Sequence, residues 1–291
     1  MIFCDIIECK LLEKGGFEMR DLQKIDIGSV AVDYASRCDG YSEQIKSSCH
    51  DRYEIVYIDH GVGKYVLEGK SVSVNPCSLF ISRPLEYHGL YLDGTSGYTR
   101  YIVRFSAEAL AESCLALLER TLDGAGGVLF SCSRQGEDIL SILEKMSLTE
   151  TVSESERAAF ASALLTELVI LLSSIACDKI VNTDDTLVPR VTRYINANIQ
   201  GDLRLDAISG QFFVNKCYLC RAFKQQSGIS IHTYINQKRV LMAKQLIESG
   251  EVASRAADAV GFGDYSAFYR AYIKHLGVPP TSHQPKRGAM L

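Results

Sequence analysis

Ala256-Ala257-Asp258-Ala259-Val260-Gly261-Phe262-Gly263-Asp264-Tyr265-Ser266-Ala267-Phe268 is the stretch whose reading decides the fold. Its alanine-rich opening predicts a short helix running into Gly261, where a residue without a Cβ turns left-handed at little cost. Asp264 is placed to cap a second helix by accepting backbone N–H groups. On that helix Phe268 and Tyr272 fall four residues apart on one face, while Tyr265, Ser266, Tyr269 and Arg270 turn toward the other. A helix, a glycine turn and a helix with a polar, basic outer side form the outline of a helix-turn-helix.

The same outline recurs about fifty residues earlier, a spacing that suggests internal duplication. Leu205 to Gln211 reads as a short helix, with a turn near Phe213-Val214. Asn215 then caps a helix carrying Leu219 and Phe223 inward, with Lys216, Cys217, Cys220, Arg221 and Lys224 on or beside the opposite side. A long helix from Ile231 to Ser249 joins the two units, its apolar positions following a 3.6-residue period with some drift. The chain from Val188 to about Lys286 resembles the DNA-binding domain of the AraC family of bacterial transcription regulators. The strongest parts of the match are Tyr218 to Lys224, Gly228-Ile229-Ser230, Tyr234-Ile235, Arg239, Val260 to Asp264, and Gly277-Val278-Pro279-Pro280. Ser209 stands where that family usually has alanine, and His283-Gln284 replaces its usual closing Tyr-Arg pair. The resemblance implies base reading by Cys217, Cys220 and Arg221 in the first unit and by Tyr265, Ser266 and Arg270 in the second. Lys216, Lys224 and Lys274 are then expected on phosphates.

Charge supports the same division. The 291 residues carry a net charge of −4, but from residue 189 onward 14 basic side chains face 6 acidic ones, a balance of +8 that leaves −12 before it. A basic module attached to an acidic one suits a domain that meets phosphate beside one that does not. A composition 47% hydrophobic and 23% charged is that of a globular protein. The most apolar run, Leu164 to Ile175, is interrupted by Glu167 and two serines, so no membrane span is expected. No cleavable signal is evident, and the expected location is cytoplasmic. The ten cysteines are scattered and expected to be reduced there. Cys217 and Cys220 form a Cys-x-x-Cys without a second ligand pair at zinc spacing; it reads as two small residues on a helix, with a redox switch as the sharper alternative.

Lys14-Gly15-Gly16 can be encoded by a purine run resembling a ribosome-binding site, so translation from Met19, with residues 1–18 as a non-native extension, is one expectation, and a genuine short disordered arm over 1–18 is the other. Residues 19–106 read as short strands with glycine turns, among them Arg52 to Ile58, a hairpin over 64–74 turning at Glu68-Gly69-Lys70, His88 to Leu92 and Tyr98 to Phe105. Such spacing suggests a small β-barrel or jelly roll, and the order Glu54, Gly61, Gly69, Pro76, Pro84, His88, Phe105 resembles the cupin-like sensor preceding many AraC-family DNA-binding domains. A pocket lined by Arg52, Glu54, Tyr57, His88 and Tyr101 would suit a sugar or similar small polar metabolite. His50, Glu54, His60 and His88 are the metal-ligand candidates, but they contain no His-x-His pair, so neither metal nor cofactor is expected.

Residues 107–180 turn helical, with a capping box at Ser153/Glu156 opening a helix whose apolar face includes Phe160, Leu164, Leu165, Leu168, Leu171 and Leu172. By the resemblance, helices at this position pair two subunits into a homodimer. Residues 181–187 form a polar hinge before the 188–286 domain. The expected fold is α+β in two domains, a β-barrel with helices followed by an all-α double helix-turn-helix. The expected function is a non-enzymatic, effector-controlled regulator whose partners are double-stranded DNA, a small polar metabolite, a second copy of itself and, as a further candidate, RNA polymerase. A metal-dependent enzyme fused to a DNA-binding module and an effector-independent DNA-binding protein are the alternatives.

Overall fold

The computed structural model describes residues 22–37, 43–95, 97–122, 128–131, 135–148, 152–175, 178–179 and 186–284. The expected extension over 1–18, the start at Met19 and most of the 181–187 hinge lie outside them. Strand alternation builds the first domain from β1 (Leu22–Ile27), β2 (Val30–Arg37), β3 (Glu43–Ser48), β4 (Tyr53–His60), β5 (Gly63–Leu67), β6 (Lys70–Val74), β7 (Ser78–Ser82), β8 (His88–Leu92), β9 (Tyr98–Phe105), β10 (Val128–Ser131) and β11 (Asp178–Lys179). One antiparallel sheet has the order β1-β2-β9-β4-β7-β10-β11, and a second has β3-β8-β5-β6. The return of the chain to the large sheet at β10 and β11, after the first helix, was not anticipated.

Successive residues of β4 point to opposite faces. Val56 and Ile58 face the barrel interior, where they pack with Tyr65, Phe80, Leu90 and Ile102. Tyr53, Ile55 and Tyr57 face the other way, onto α1 (Glu112–Leu122), α2 (Gly136–Ser147) and α3 (Glu154–Ser174). By length and composition alone α3 is long and apolar enough to cross a membrane, a test that a buried core helix also passes. Leu164, Leu165, Leu168, Val169 and Leu172 are instead buried in the core beneath the large sheet. That packing accounts for the apolar composition of the helix. Most of the stripe expected to pair subunits therefore faces inward, with Phe160 and Ile170 left exposed. The expected capping box is also altered. Ser153 Oγ donates to the Glu156 carboxylate instead of serving a backbone N–H, a charge-assisted exchange.

The second domain comprises α4 (Leu187–Ala197), α5 (Leu205–Gln211), α6 (Lys216–Ser227), α7 (Ile231–Glu248), α8 (Ala253–Ala259) and α9 (Tyr265–Leu276). Both expected caps form: Asn215 accepts from the amides of Cys217 and Tyr218, and Asp264 from those of Ser266 and Ala267. Both α6 and α9 end at a left-handed glycine, Gly228 and Gly277. The drift in the α7 pattern now has a cause, because its two halves belong to different cores. Ile231, Tyr234 and Ile235 pack with Leu219 and Phe223 of the first unit, and Val240, Ala243 and Ile247 with Phe268 and Tyr272 of the second. Arg239, between those halves, donates from Nε to Ile199 O and from Nη2 to Gly201 O, both at 2.8 Å, tying the chain between α4 and α5 to the centre of α7.

Gly261 needs glycine twice over. Its φ is +90°, and a Cβ there would stand 2.6 Å from the backbone oxygen of Gln200. Gly250, with φ +103°, has nothing within 4 Å of the same position and isolates the conformational term. Gly250→Ala should cost about 1 kcal/mol, the positive-φ penalty alone. Gly261→Ala should cost clearly more, because backbone must move. Chemical denaturation of the two variants measures the difference, and equal losses would mean that the Gln200 contact yields freely.

Candidate functional site

The two reading helices present opposite faces to core and solvent. In α6, Leu219 and Phe223 are fully buried, while Lys216, Cys217, Arg221 and Lys224 are exposed and Cys220 is half-buried at the edge. In α9, Phe268 and Tyr272 are buried, and Tyr265, Ser266, Arg270 and Lys274 are exposed. All nine residues expected to meet DNA therefore stand at or beside the solvent faces of these two helices. Lys216 is not a free cation: Nζ lies 2.5 Å from Asp206 of α5, an ion pair that raises its pKa and joins the two helices of the first unit. Exposed Tyr218 adds an aromatic ring to this face that was not expected there. Cys217 and Cys220 are free thiols.

The expected effector residues do not form one site. Glu54 and His88 face the barrel interior at one end, and the structure adds His50 and Arg104 to them. Tyr57 and Tyr101 pair across β4 and β9 on the opposite face of the sheet and pack in the core shared with the helices. Strand parity separates them: Tyr57 is an odd number of residues from Glu54, so the sheet lies between their side chains. Arg52 precedes β4 and donates from Nη2 to Gly28 O at 2.8 Å. His60, at the far end of β4, is six residues from Glu54, roughly 20 Å along an extended strand.

Glu54 is the centre of the polar end. Its Oε2 accepts from Arg104 Nε at 2.6 Å and lies 3.3 Å from His50 Nε2, while Oε1 lies 3.1 Å from His88 Nε2. Burial alone would raise the Glu54 carboxyl, but His88, His50 and Arg104 outweigh it and hold the group well below the usual carboxylate range. Burial would likewise depress His88, and the facing carboxylate reverses that and raises it. Arg104 is the direct cross-strand neighbour of Glu54 on one side and Ser82 on the other. A regular sheet thus places a cation, an anion and a hydroxyl in one row.

Comparison with known proteins agrees with this division of the chain. Residues 39–169 match the AraC-like ligand binding domain, and residues 208–285 match a helix-turn-helix domain. The chain belongs to the AraC family. It is 22% identical over 276 residues to the HTH-type transcriptional activator RhaS of Klebsiella pneumoniae (strain 342), covering 93% of this chain and 97% of that one. It is also 22% identical over 249 residues to RhaS of Escherichia coli (strain K12 / DH10B), covering 83% and 88%. The crystal structure of ToxT from Vibrio cholerae O395 aligns over 88% of this chain and 96% of its own at 16% identity, with a TM-score of 0.37. As an AraC-family transcription regulator, the chain pairs a ligand-binding domain with a DNA-binding domain.

How this AraC-family chain docks one domain on the other was not legible in its sequence. Glu68, in the tight turn between β5 and β6, reaches into the first helix-turn-helix unit. Its Oε2 accepts from Asn196 Nδ2 at 2.7 Å and Tyr234 OH at 2.6 Å. Its Oε1 accepts from Lys238 Nζ at 2.8 Å and from the Tyr87 amide at 2.6 Å. Lys238 also donates to Asn196 Oδ1 at 2.8 Å. Beside this cluster Gln226, near the end of α6, donates to Gly69 O at 2.7 Å. Tyr87 of the sensor is buried within the core of the first unit, with half-buried Cys49 packed against it. Burial pushes the Cys49 thiol up to about 12, so it is a protonated packing residue. A second ion pair joins Asp51 to Lys244 of α7.

Glu68→Ala should undo this docking. It would leave the Lys238 ammonium, which is 8% exposed, without its carboxylate, a loss of about 3–5 kcal/mol. The expected outcome is a larger radius of gyration by small-angle scattering and faster hydrogen exchange at Tyr87 and Gln226. Unchanged scattering and exchange would show that apolar packing alone holds the domains.

Proposed function

We propose that this regulator reads an asymmetric DNA site with α6 and α9 and is controlled by a small polar, sugar-like metabolite at the polar end of the sensor barrel. The observation that carries the DNA half is the pair of capped helices with buried Leu219/Phe223 and Phe268/Tyr272 beneath exposed basic faces. One rigid α7 through both cores supports entry of the two helices into successive major grooves, about 34 Å apart. Cys217, Cys220 and Arg221 would read bases in one groove, and Tyr265, Ser266 and Arg270 in the other. Lys216, Lys224 and Lys274 would hold phosphates, which adds affinity without sequence choice. The chemistry of the two sets differs, so the half-sites should differ.

The effector half rests on Glu54, His88, His50 and Arg104, whose donors and acceptors suit a polyhydroxylated ligand. The coupling rests on chain adjacency. His50 is flanked by Cys49 and Asp51, and His88 is preceded by Tyr87; all three neighbours touch the DNA-binding domain. A ligand that shifts either histidine would bear directly on the Glu68 docking, which supplies the two states with different affinity that control requires. Exposed Phe160 and Ile170 on α3 support pairing of two copies through that helix, and sedimentation velocity of the full chain reads it. A cytoplasmic location follows from the DNA target, and RNA polymerase is the partner through which such a regulator would raise transcription.

Thermal-shift measurements on the full chain with a panel of sugars and related metabolites test the effector, with stabilisation by one class and not others as the supporting result. Arg221 is the candidate for bidentate guanine contact. Arg221→Ala should weaken binding to the cognate site by about 1–3 kcal/mol and relax base preference at one position. Fluorescence anisotropy on selected and scrambled duplexes checks this. Equal weakening on both would reduce Arg221 to a phosphate contact.

A further inference from the structure

His50 Nε2, a Glu54 carboxylate oxygen and His88 Nε2 all lie within 4.8 Å of one another at the polar end of the barrel. We propose that His50, Glu54 and His88 bind one divalent transition-metal ion of the zinc, cobalt or nickel kind. The proposal rests on the reading of this barrel end as the sensor's ligand site and names an inorganic component for it. Two imidazole nitrogens and a carboxylate oxygen are the donor set that such borderline cations take.

The geometry is close to what one ion requires. Bonds of about 2.1 Å put neighbouring ligand atoms roughly 3.0–3.4 Å apart. Glu54 stands at 3.3 Å from His50 through Oε2 and at 3.1 Å from His88 through Oε1. Binding through one oxygen asks His50 and the carboxylate to close on the ion beside His88, from ligand atoms already within 4.8 Å of one another. His88 is also oriented as a ligand. Its Nδ1 is 2.8 Å from Glu86 O, and because a carbonyl only accepts, Nδ1 carries the proton. His50 Nδ1 lies 3.0 Å from Arg52 O and 3.4 Å from the Arg52 amide, so the backbone there can orient the ring in either tautomer. A backbone carbonyl on Nδ1 leaves Nε2 as the metal nitrogen, the usual outer-shell arrangement. Nε2 of His88 then points its lone pair at a carboxylate oxygen, and that approach is attractive only with a positive centre between them. The centre is either a second proton on His88 or a metal ion.

Arg104 engages Oε2, the oxygen that also faces His50, so Oε1, which faces His88, is the oxygen left for an ion. Three protein ligands leave a coordination position open. Two hydroxyls near this cluster, Tyr65 OH and Ser82 Oγ, are fully buried and have only each other as neighbours for hydrogen bonding. Ser82 lies directly across from Glu54, and the Tyr65 ring stacks near His88 with centroids 6.3 Å apart. A water or an effector hydroxyl on the ion would give this pair a further partner.

The test uses the full chain, stripped with a chelator and titrated with Co²⁺ or Zn²⁺ alone. The expected result is one equivalent bound, a visible absorption band of four- or five-coordinate cobalt, and affinity lowered at least about tenfold in His50→Gln and in His88→Gln. Circular dichroism checks that both variants keep the fold. The wild-type cobalt spectrum reports on the site even where a variant does not fold. Wild-type uptake no greater than that of the His50→Gln/His88→Gln double variant, or a cobalt spectrum of the hydrated ion, would overturn the proposal and leave the proton as the filler. With the metal as the sole probe, such a failure would not touch the organic-effector reading. A failed metabolite screen would equally leave the metal result standing.

Discussion

The arrangement of the whole molecule depends on one carboxylate. Glu68 sits at φ +48°, a left-handed conformation uncommon for a residue with a side chain, in a turn whose next residue, Gly69, is also left-handed. That turn drives the hairpin tip against α4, so close that a Cβ on Gly69 would lie 3.1 Å from Thr192 Oγ1. Four donors then converge on Glu68 from both domains. A buried anion so fully bonded is stable only while every partner stays in place, because removing one side strands a charge in an apolar setting. The contact is therefore close to all-or-none.

The DNA-reading half has its own constraint. Two small helical units share α7, whose first half completes one core and whose second half completes the other. Arg239 fastens the middle of α7 to the loop after α4, and Gly261 packs against the same loop. The separation of α6 and α9 is thus set by covalent helix and close packing. Lys238, adjacent to Arg239, belongs to the Glu68 cluster, so one turn of α7 touches both the domain docking and the joint between the reading units.

In the sensor, the sheet sorts residues by parity. Even-numbered positions of β4 line the barrel and odd-numbered ones meet the helices, which separates Glu54 from Tyr57 although both are buried. His50, in the connection before β4, and His88, at the start of β8, meet Glu54 while their neighbours Cys49, Asp51 and Tyr87 reach the other domain. The barrel end therefore lies one peptide unit from the docking surface.

Much of this was legible in the chain itself. The glycines, caps and apolar pairs of the two helix-turn-helix units act within a few residues of one another, so Asn215, Asp264, Gly261, Leu219 and Phe268 could be assigned from local chemistry alone. The β5–β6 hairpin was equally local, since a Glu-Gly turn between two β-rich runs has few other readings. The sequence also placed the basic charge on the reading domain. What it could not assign were pairings between residues far apart in the chain. Tyr57 and Glu54 look equivalent until strand parity is set by the sheet, β10 and β11 are too short to announce themselves, and Glu68 in a polar turn looks like any solvated acid. Its partners Asn196, Tyr234 and Lys238 come from helices more than a hundred residues later, and only the docked domains bring them together. Local propensity determined the elements and the DNA-reading units; packing over long sequence separations decided which polar groups are buried and how the two domains are joined.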